Sequence, residues 1–355
     1  MKIVVLGKLE SVVHWAEDSI AGFRAAGHDV RFGVTRNPRL NRSIERLLVA
    51  RWTGAPRVAR IVRAITRFAP DLILAVAPYH MPLAILRQVA ALPGRAPLLG
   101  WVGDAFSAGD AAAAALLDAV AYTDSGMLAT HRQFGWPTPA GYLPHAANPR
   151  LDRGVAAPLS RHRDMVFVAN PTPHRRALVA QIQTPMRLFG IGWTQAAGTA
   201  HVIQARHIGV DELGAIYRSA AAVLNVRNEH NVLNGLNQRH FDPYLAATPV
   251  VSDDLPDLTR CFDPGTEVLV YRDAEELNDL YARLRRDPKF ATAIGERGRQ
   301  RVWPNIPTLT AWLRCLGWRS PGYSAGSAST AVACRGLRMT SNSSAAGSVV
   351  QISST

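Results

Sequence analysis

Short, unbroken apolar runs alternate with longer stretches of helical periodicity along the first part of the chain. KIVVLG (2–7), HDVRFGV (28–34), DLILAV (71–76), LLGWVG (98–103), DAVAYTD (118–124) and AGYLP (140–144) read as six strands. Between them, SVVHWAEDSIAGFRAAG, PRVARIVRAITRF and the stretch from Met81 to Ala91 carry the 3.6-residue pattern of helices. The strands are continuous apolar runs and do not alternate with polar residues. That pattern predicts a parallel sheet covered by helices on both faces.

The pattern then restarts. HAANPRLDRGVAAPLSRHR has little periodicity, and beyond it DMVFVAN, MRLFGIG, AAVLNV, TPVVSD and EVLVY read as strands. PTPHRRALVAQI, VDELGAIYRSA, AEELNDLYARLRR and residues 290–302 read as helices between and after them. The predicted fold class is therefore α/β, with two Rossmann-like doubly wound domains. The expected organisation is a first domain over residues 1–148, a linker over 149–163 and a second domain over 164–305. A closing helix over 306–319 carries Leu309, Trp312, Leu313 and Leu316 on one face. From Ser320 to Thr355 the text holds ten serines and little that packs, so it is expected to be a disordered tail.

Composition changes this picture only locally. The net charge is +13, yet lysine supplies just Lys2, Lys8 and Lys289, and an arginine-rich, lysine-poor balance often reflects genome composition. One region is lopsided: Arg36 to Arg67 holds nine arginines against the single acid Glu45. Within it, Val58, Ile61, Val62, Ile65 and Phe68 share one helix face, with Arg57, Arg60, Arg63 and Arg67 largely on the other. That face is either an ordinary solvated surface or one that meets an anionic acceptor or membrane headgroups. No aromatic residue lies among Arg57, Arg60, Arg63 and Arg67 and no binding motif appears, so nucleic acid is not an expected partner. Cys261, Cys315 and Cys334 form no metal or disulfide pattern. With no signal peptide or membrane span in the text, the expected location is the cytoplasm, with a peripheral position at the inner membrane surface open.

In open parallel sheets, ligands sit beyond the carboxyl ends of the strands. That rule selects Ser11 and His14 after the first strand and Asp104 after the fourth. In the second domain it selects Asn170 to Arg175, the turn Gly190-Ile191-Gly192-Trp193, and Arg227 to Asp242. Competing chemistry is not signalled. The chain has no G-x-G-x-x-G, no Walker loop, no G-x-S-x-G and no H-E-x-x-H, so no cofactor and no metal are expected.

The ordered series YTDSGMLATHRQFG, YLPHAANP, MVFVANPTPHRRALV, LFGIGW and HIGVDELGAIYRSAAAVLNV, followed by NGLNQRHFDPYLAATPVVSDDLPDL, resembles the GT-B glycosyltransferases. Their spore-maturation (CgeB-like) branch is the most similar. The resemblance covers roughly residues 98 to 302, and it implies a nucleotide-diphosphate sugar as co-substrate, with no metal strictly required. Retaining members carry two glutamates separated by seven residues, and here Asn234 and Asp242 occupy those positions. Asp242 would then hold ribose hydroxyls, Asn234 the sugar and Arg239 the diphosphate. Asn234 carries no charge, so retention and inversion both stay open. The Ala-Ala-Thr-Pro segment puts Ala247 where the family has a glycine.

Each assignment has a plainer alternative. Asp242 before Pro243 also suits a helix N-cap, Arg239 a structural ion pair and Gly235 a simple turn instead of a phosphate-facing amide. Asn170, His174 and Arg175 are candidate diphosphate ligands at a helix start. Asp104 is a candidate base or a cap for AFSAGDAAAAALLD, His14 a candidate catalytic group or a helix histidine. Trp15 and Trp193 suit core or pocket wall. The expected function is glycosyl transfer from a nucleotide sugar to an unidentified acceptor. Nucleotide or carbohydrate binding without turnover, and epimerisation or hydrolysis of the nucleotide sugar, are the rival readings.

Overall fold

In the computed structural model of the chain, residues 1–8, 15–36, 54–151, 164–195, 200–302, 338–340 and 351–353 are described. The first sheet comprises β1 (Lys2–Lys8), β2 (Asp29–Arg36), β3 (Leu72–Val76), β4 (Leu98–Val102), β5 (Ala119–Tyr122) and β6 (Ala140–Tyr142). The second comprises β7 (Met165–Val168), β8 (Arg187–Phe189), β9 (Val202–Gln204), β10 (Ala222–Asn225), β11 (Val250–Asp253) and β12 (Leu269–Tyr271). Their orders are β2-β1-β3-β4-β5-β6 and β12-β11-β10-β7-β8-β9, and every pairing within them is parallel. These are two doubly wound sheets, as the apolar runs predict. The strand order reverses its outward march between β1 and β3 in one sheet and between β7 and β10 in the other. Those two switch points are where crevices form at carboxyl ends.

Burial follows the sequence pattern. Val4, Leu6, Ile73, Leu74 and Val120 in the first sheet, and Val166, Phe167, Val223 and Leu224 in the second, are buried from both sides. In the helix Gly54–Phe68, Ile61, Ile65 and Phe68 pack inward while Arg60, Arg63 and Arg67 are exposed. The side chain of Arg57 and most of the arginine-rich run before the helix lie outside the described residues. Among the described residues no helix is long and apolar enough to cross a membrane.

Two local expectations are corrected. The edge strand β9 is absent from the sequence reading, because it is three residues long and half exposed and so carries no apolar run. The helix expected over AFSAGDAAAAALLD shrinks to a turn at Ala108–Asp110 and one helical turn at Ala111–Ala114. Ser107 stands at its start, with its N–H on Asp110 Oδ2 at 2.8 Å, so Asp104 is not its cap.

Residues 152–163 of the expected linker and the closing helix over 306–319 lie outside the described residues. The chain divides at Ile306/Pro307, and of the later unit only Arg338–Thr340 and Gln351–Ser353 are described, paired as an antiparallel ribbon.

The segment that carries Asp242 is held from below. Asp242–Ala246 forms a 3-10 turn that ends at Ala247 in the left-handed region, φ 49° and ψ 36°. The helix Pro288–Val302 packs on this turn through Gly295, where a Cβ would lie 2.0 Å from the Ala247 carbonyl oxygen. The close approach that the sequence places at Ala247 is thus supplied by Gly295, and Ala247 bears the strain. A left-handed alanine costs about 1–2 kcal/mol, partly offset by the roughly 0.5–1 kcal/mol entropic cost of glycine. Urea unfolding should therefore show Ala247→Gly neutral to about 1 kcal/mol more stable. Gly295→Ala should be less stable by about 1–3 kcal/mol, with no change of slope in either variant.

Candidate functional site

The second domain builds one wall of a cleft at its switch point. Arg175, on the helix Pro173–Val179 after β7, is 4% exposed. Its Nε and Nη2 donate to the Val226 carbonyl at 3.2 and 2.9 Å, and its Nη1 donates to the Asn170 carbonyl at 2.8 Å. The guanidinium therefore ties the loop after β7 to the loop after β10, and burial pushes its pKa down to about 10. Asn170 holds the next loop, its Oδ1 accepting the Ile191 N–H at 3.0 Å.

Beyond β10, a short turn at Gln238–His240 presents Arg239. Asn237 caps it, accepting the Arg239 N–H at 3.0 Å, and its own N–H reaches His240 Nδ1 at 3.1 Å. His240 is fully buried between Asn225 and Ser252 Oγ, and burial lowers its pKa to about 3. That imidazole is scaffold. Above it, Arg239 Nε contacts Asn225 Oδ1 at 3.4 Å, and among the described residues no ion pair involves the guanidinium. Burial lowers its pKa, so the cation sits in a poorly solvated place with its charge uncompensated at contact distance.

The first domain meets this wall mainly through the Asp124 carboxylate. Asp124, after β5, caps the helix Ser125–Gln133 by accepting the Gly126 and Met127 N–H groups at 2.7 and 3.1 Å. Its Oδ2 accepts the N–H groups of Leu233, Asn234 and Gly235 at 2.8, 3.0 and 2.8 Å. Asp257 returns the contact by accepting the Ser125 N–H at 2.8 Å. Two glycines permit this approach. A Cβ on Gly235 would lie 2.6 Å from Asp124 Cβ, and one on Gly126 would lie 2.7 Å from Leu233 Cβ. Gln238 Nε2 to Asp18 Oδ2 and Asn231 Nδ2 to Asp104 Oδ1, both 2.7 Å, add two more bridges.

Between the walls lies a cavity of about 330 Å³, at the small end of the roughly 300–1,000 Å³ typical of small-molecule sites. Trp15, Asp18 and His145 line it from the first domain, and Arg175, Arg239 and Asp242 from the second. Asp242 is 5% exposed, and its Oδ1 accepts the Asn148 N–H at 2.7 Å, so it does not cap the turn it begins. Burial pushes its carboxyl well above the usual carboxylate range, with the charge of Asp18 adding to the rise.

The sequence-selected residues divide accordingly. Asn170, Arg175, Arg239, Asp242 and Gly235 all line the cavity, but Gly235 gives its amide to Asp124 and so does not offer it to a phosphate. Asn234 does not line the cavity: its side chain lies 3.1 Å from Ser125 Oγ, and its peptide N–H is bound to Asp124. His174 is exposed and off the lining, Trp193 is core, and Trp15 is wall. Asp104 faces Asn231 and His80, the latter at 3.8 Å, and does not line the cavity. Ser11 and His14 lie outside the described residues. Sequence reasoning passed over Asp124, Asp18 and His145. The signal for Asp124 was its place before Ser125-Gly126, an N-cap pattern, and for His145 its place just past β6.

Comparison with known proteins agrees with this architecture. A family model described as glycosyl transferase-like matches residues 173–309. The fold is similar to sucrose-phosphate synthase from Thermosynechococcus elongatus, at 15% identity and TM-score 0.60 over 90% of this chain and 99% of that one. It is also similar to Anabaena HepE, solved with UDP and glucose, at 13% identity and TM-score 0.62 over 87% and 96%. T4 phage BGT, solved with its UDP-glucose substrate, gives 12% identity and TM-score 0.58 over 89% and 98%. No curated protein matches the sequence. The chain therefore has the GT-B fold, two facing Rossmann-like domains.

Asp242 makes the site's acid–base chemistry measurable as stability. Its folded-state pKa is raised, so its contribution is full below the unfolded value of about 4 and is lost as pH rises through the folded pKa. Asp242→Asn keeps an oxygen for Asn148 without the titration. In denaturant titrations run from about pH 4 to pH 8, this variant should gain stability relative to wild type as pH rises toward the folded-state pKa of Asp242. A constant difference across that range would mean that Asp242 is not raised.

Proposed function

We propose that this chain is a glycosyltransferase that takes its sugar from a nucleoside-diphosphate donor bound in the interdomain cavity. The observation that carries the reading is the Arg239 guanidinium. It lines the cavity, stands at the carboxyl end of the β7/β10 switch point and has no acid at ion-pair distance among the described residues. A diphosphate supplies what that cation lacks, two or more negative charges with oxygens suited to a planar donor. Arg175 lies close enough to feel Arg239, and the carboxylates of Glu229 and Asp253 also act on it. UDP leads the candidate nucleotides, because HepE and BGT were solved with UDP and UDP-glucose.

In this reading an acceptor oxygen or nitrogen forms the new bond to the anomeric carbon while the bond to the diphosphate oxygen breaks. The electron pair leaves with the nucleoside diphosphate, and the acceptor's proton passes to a base. Arg239 stabilises the charge that develops on the leaving group, which is where fixed cations lower a barrier most. Asp242 lines the same cavity, and its buried carboxyl is suited to ribose hydroxyls. Asp104 is not given the part of base, since it lies off the cavity. The spore-maturation branch is part of the same proposal, resting on the residue pattern around Asn234 to Asp242. The exposed Arg60, Arg63 and Arg67 suit an anionic or membrane-associated acceptor.

A thermal-shift panel of UDP, GDP, dTDP, CDP and ADP tests the reading. A ligand at 100 times its Kd stabilises by about 2.7 kcal/mol. One nucleotide should raise the Tm of wild type and fail to raise that of Arg239→Ala. No shift from any nucleotide at millimolar concentration would contradict donor binding. Consumption of the sugar donor at the same rate with and without acceptor would favour a hydrolase or epimerase.

A further inference from the structure

Four histidines among the described residues are buried: His131, His145, His201 and His240. Three have protein partners for their ring nitrogens. His131 bonds Tyr122 Oη at 2.8 Å and the Thr138 carbonyl at 2.9 Å. His201 reaches the Val179 carbonyl at 3.1 Å, and His240 is fixed by Asn225 and Ser252. His145 differs. It is 5% exposed, yet among the described residues neither ring nitrogen has a hydrogen-bond partner. Polar groups inside a fold are mostly hydrogen-bonded, so a ring whose nitrogens are left open calls for a cause.

The cause here is position. The ring of His145 packs on two indoles, with its centroid 5.5 Å from that of Trp15 and 5.0 Å from that of Trp101. Gly103 leaves room for it, since a Cβ there would lie 3.2 Å from His145 Cε1. The ring lines the cavity that Arg239 also lines, and it feels the charge of that guanidinium. Burial first, and Arg239 second, hold its pKa at about 3, so the free imidazole is neutral and offers one N–H and one bare nitrogen.

We propose that His145 is the first domain's ligand for the donor diphosphate, donating its ring N–H to a phosphate oxygen that Arg239 holds from the second domain. This inference rests on the donor-binding reading above. An anion between the two groups satisfies both: it compensates the guanidinium and gives the imidazole its missing partner. It also places one contact in each domain, so the diphosphate bridges the cleft.

Calorimetric titration of UDP, UDP-glucose and uridine into wild type, His145→Phe and His145→Gln provides the test. Phenylalanine keeps ring packing on Trp15 and Trp101 without a nitrogen, and glutamine keeps an N–H donor. The expected result is that His145→Phe weakens UDP and UDP-glucose alike, by about tenfold to a hundredfold, and leaves uridine unchanged. His145→Gln, which guards against a misfolded Phe variant, should recover most of that loss. Equal UDP affinity in wild type and His145→Phe would overturn the inference while leaving the donor site standing. Loss of UDP-glucose with UDP unchanged would also overturn it, by moving the contact to the sugar. Absence of any nucleotide binding to wild type would remove the donor-binding reading itself, and the inference with it.

Discussion

The Asp124 carboxylate is the constraint on which the rest of the site depends. It accepts N–H groups from Gly126 and Met127 in its own domain and from Leu233, Asn234 and Gly235 in the other. Hydrogen bonds to a charged group are each worth about 1.5–3 kcal/mol net, and losing the acceptor would orphan five amides at once. The helix beginning at Ser125 favours negative charge at its start, so the fold gives the carboxylate a fixed place on the first domain. The 233–235 backbone is a small anion-binding concavity, and the first domain supplies the anion. Everything that lines the cavity is positioned relative to this junction.

The junction separates two electrostatic tasks. Asp124 satisfies the amides that lead into the Arg239 turn, so that segment is rigid before any ligand arrives. Arg239 itself is left without an acid at contact distance, above a scaffold of Asn225, Asn237 and His240 that is fully bonded within the protein. Rigid support with an uncompensated cation at its tip is an arrangement for holding an anion, since little reorganisation is needed when charge appears there. Asp242 and Asp18 add carboxyl groups to the same cavity. Asp242 is held by Asn148, next to the passage from one domain to the other, so the donor wall and the chain crossing share a single hydrogen bond.

Much of the fold was legible because strands buried on both faces must be apolar throughout. KIVVLG and AAVLNV announced β1 and β10 in that way, whereas β9, short and half exposed, left no such mark. The site was legible in part. The carboxyl-end rule chose Asn170, Arg175, Arg239 and Asp242, all of which reach the cavity. It also chose Gly235, which lines the cavity but gives its amide to Asp124, and Asn234, which lies off the lining, because spacing along the chain does not say which way a loop turns its groups. Their partner, Asp124, stands 110 and 111 positions earlier, and no local pattern encodes that meeting. His145 was hidden for a related reason: its significance lies in lacking a partner, which only the packed structure can show.

The most direct measurement is a crystal structure of the chain with UDP bound. The account predicts the nucleotide in the interdomain cavity, with diphosphate oxygens within hydrogen-bond distance of the Arg239 guanidinium and the Asp124 junction intact. Nucleotide bound outside that cavity, or within it with the diphosphate turned away from Arg239, would contradict the account.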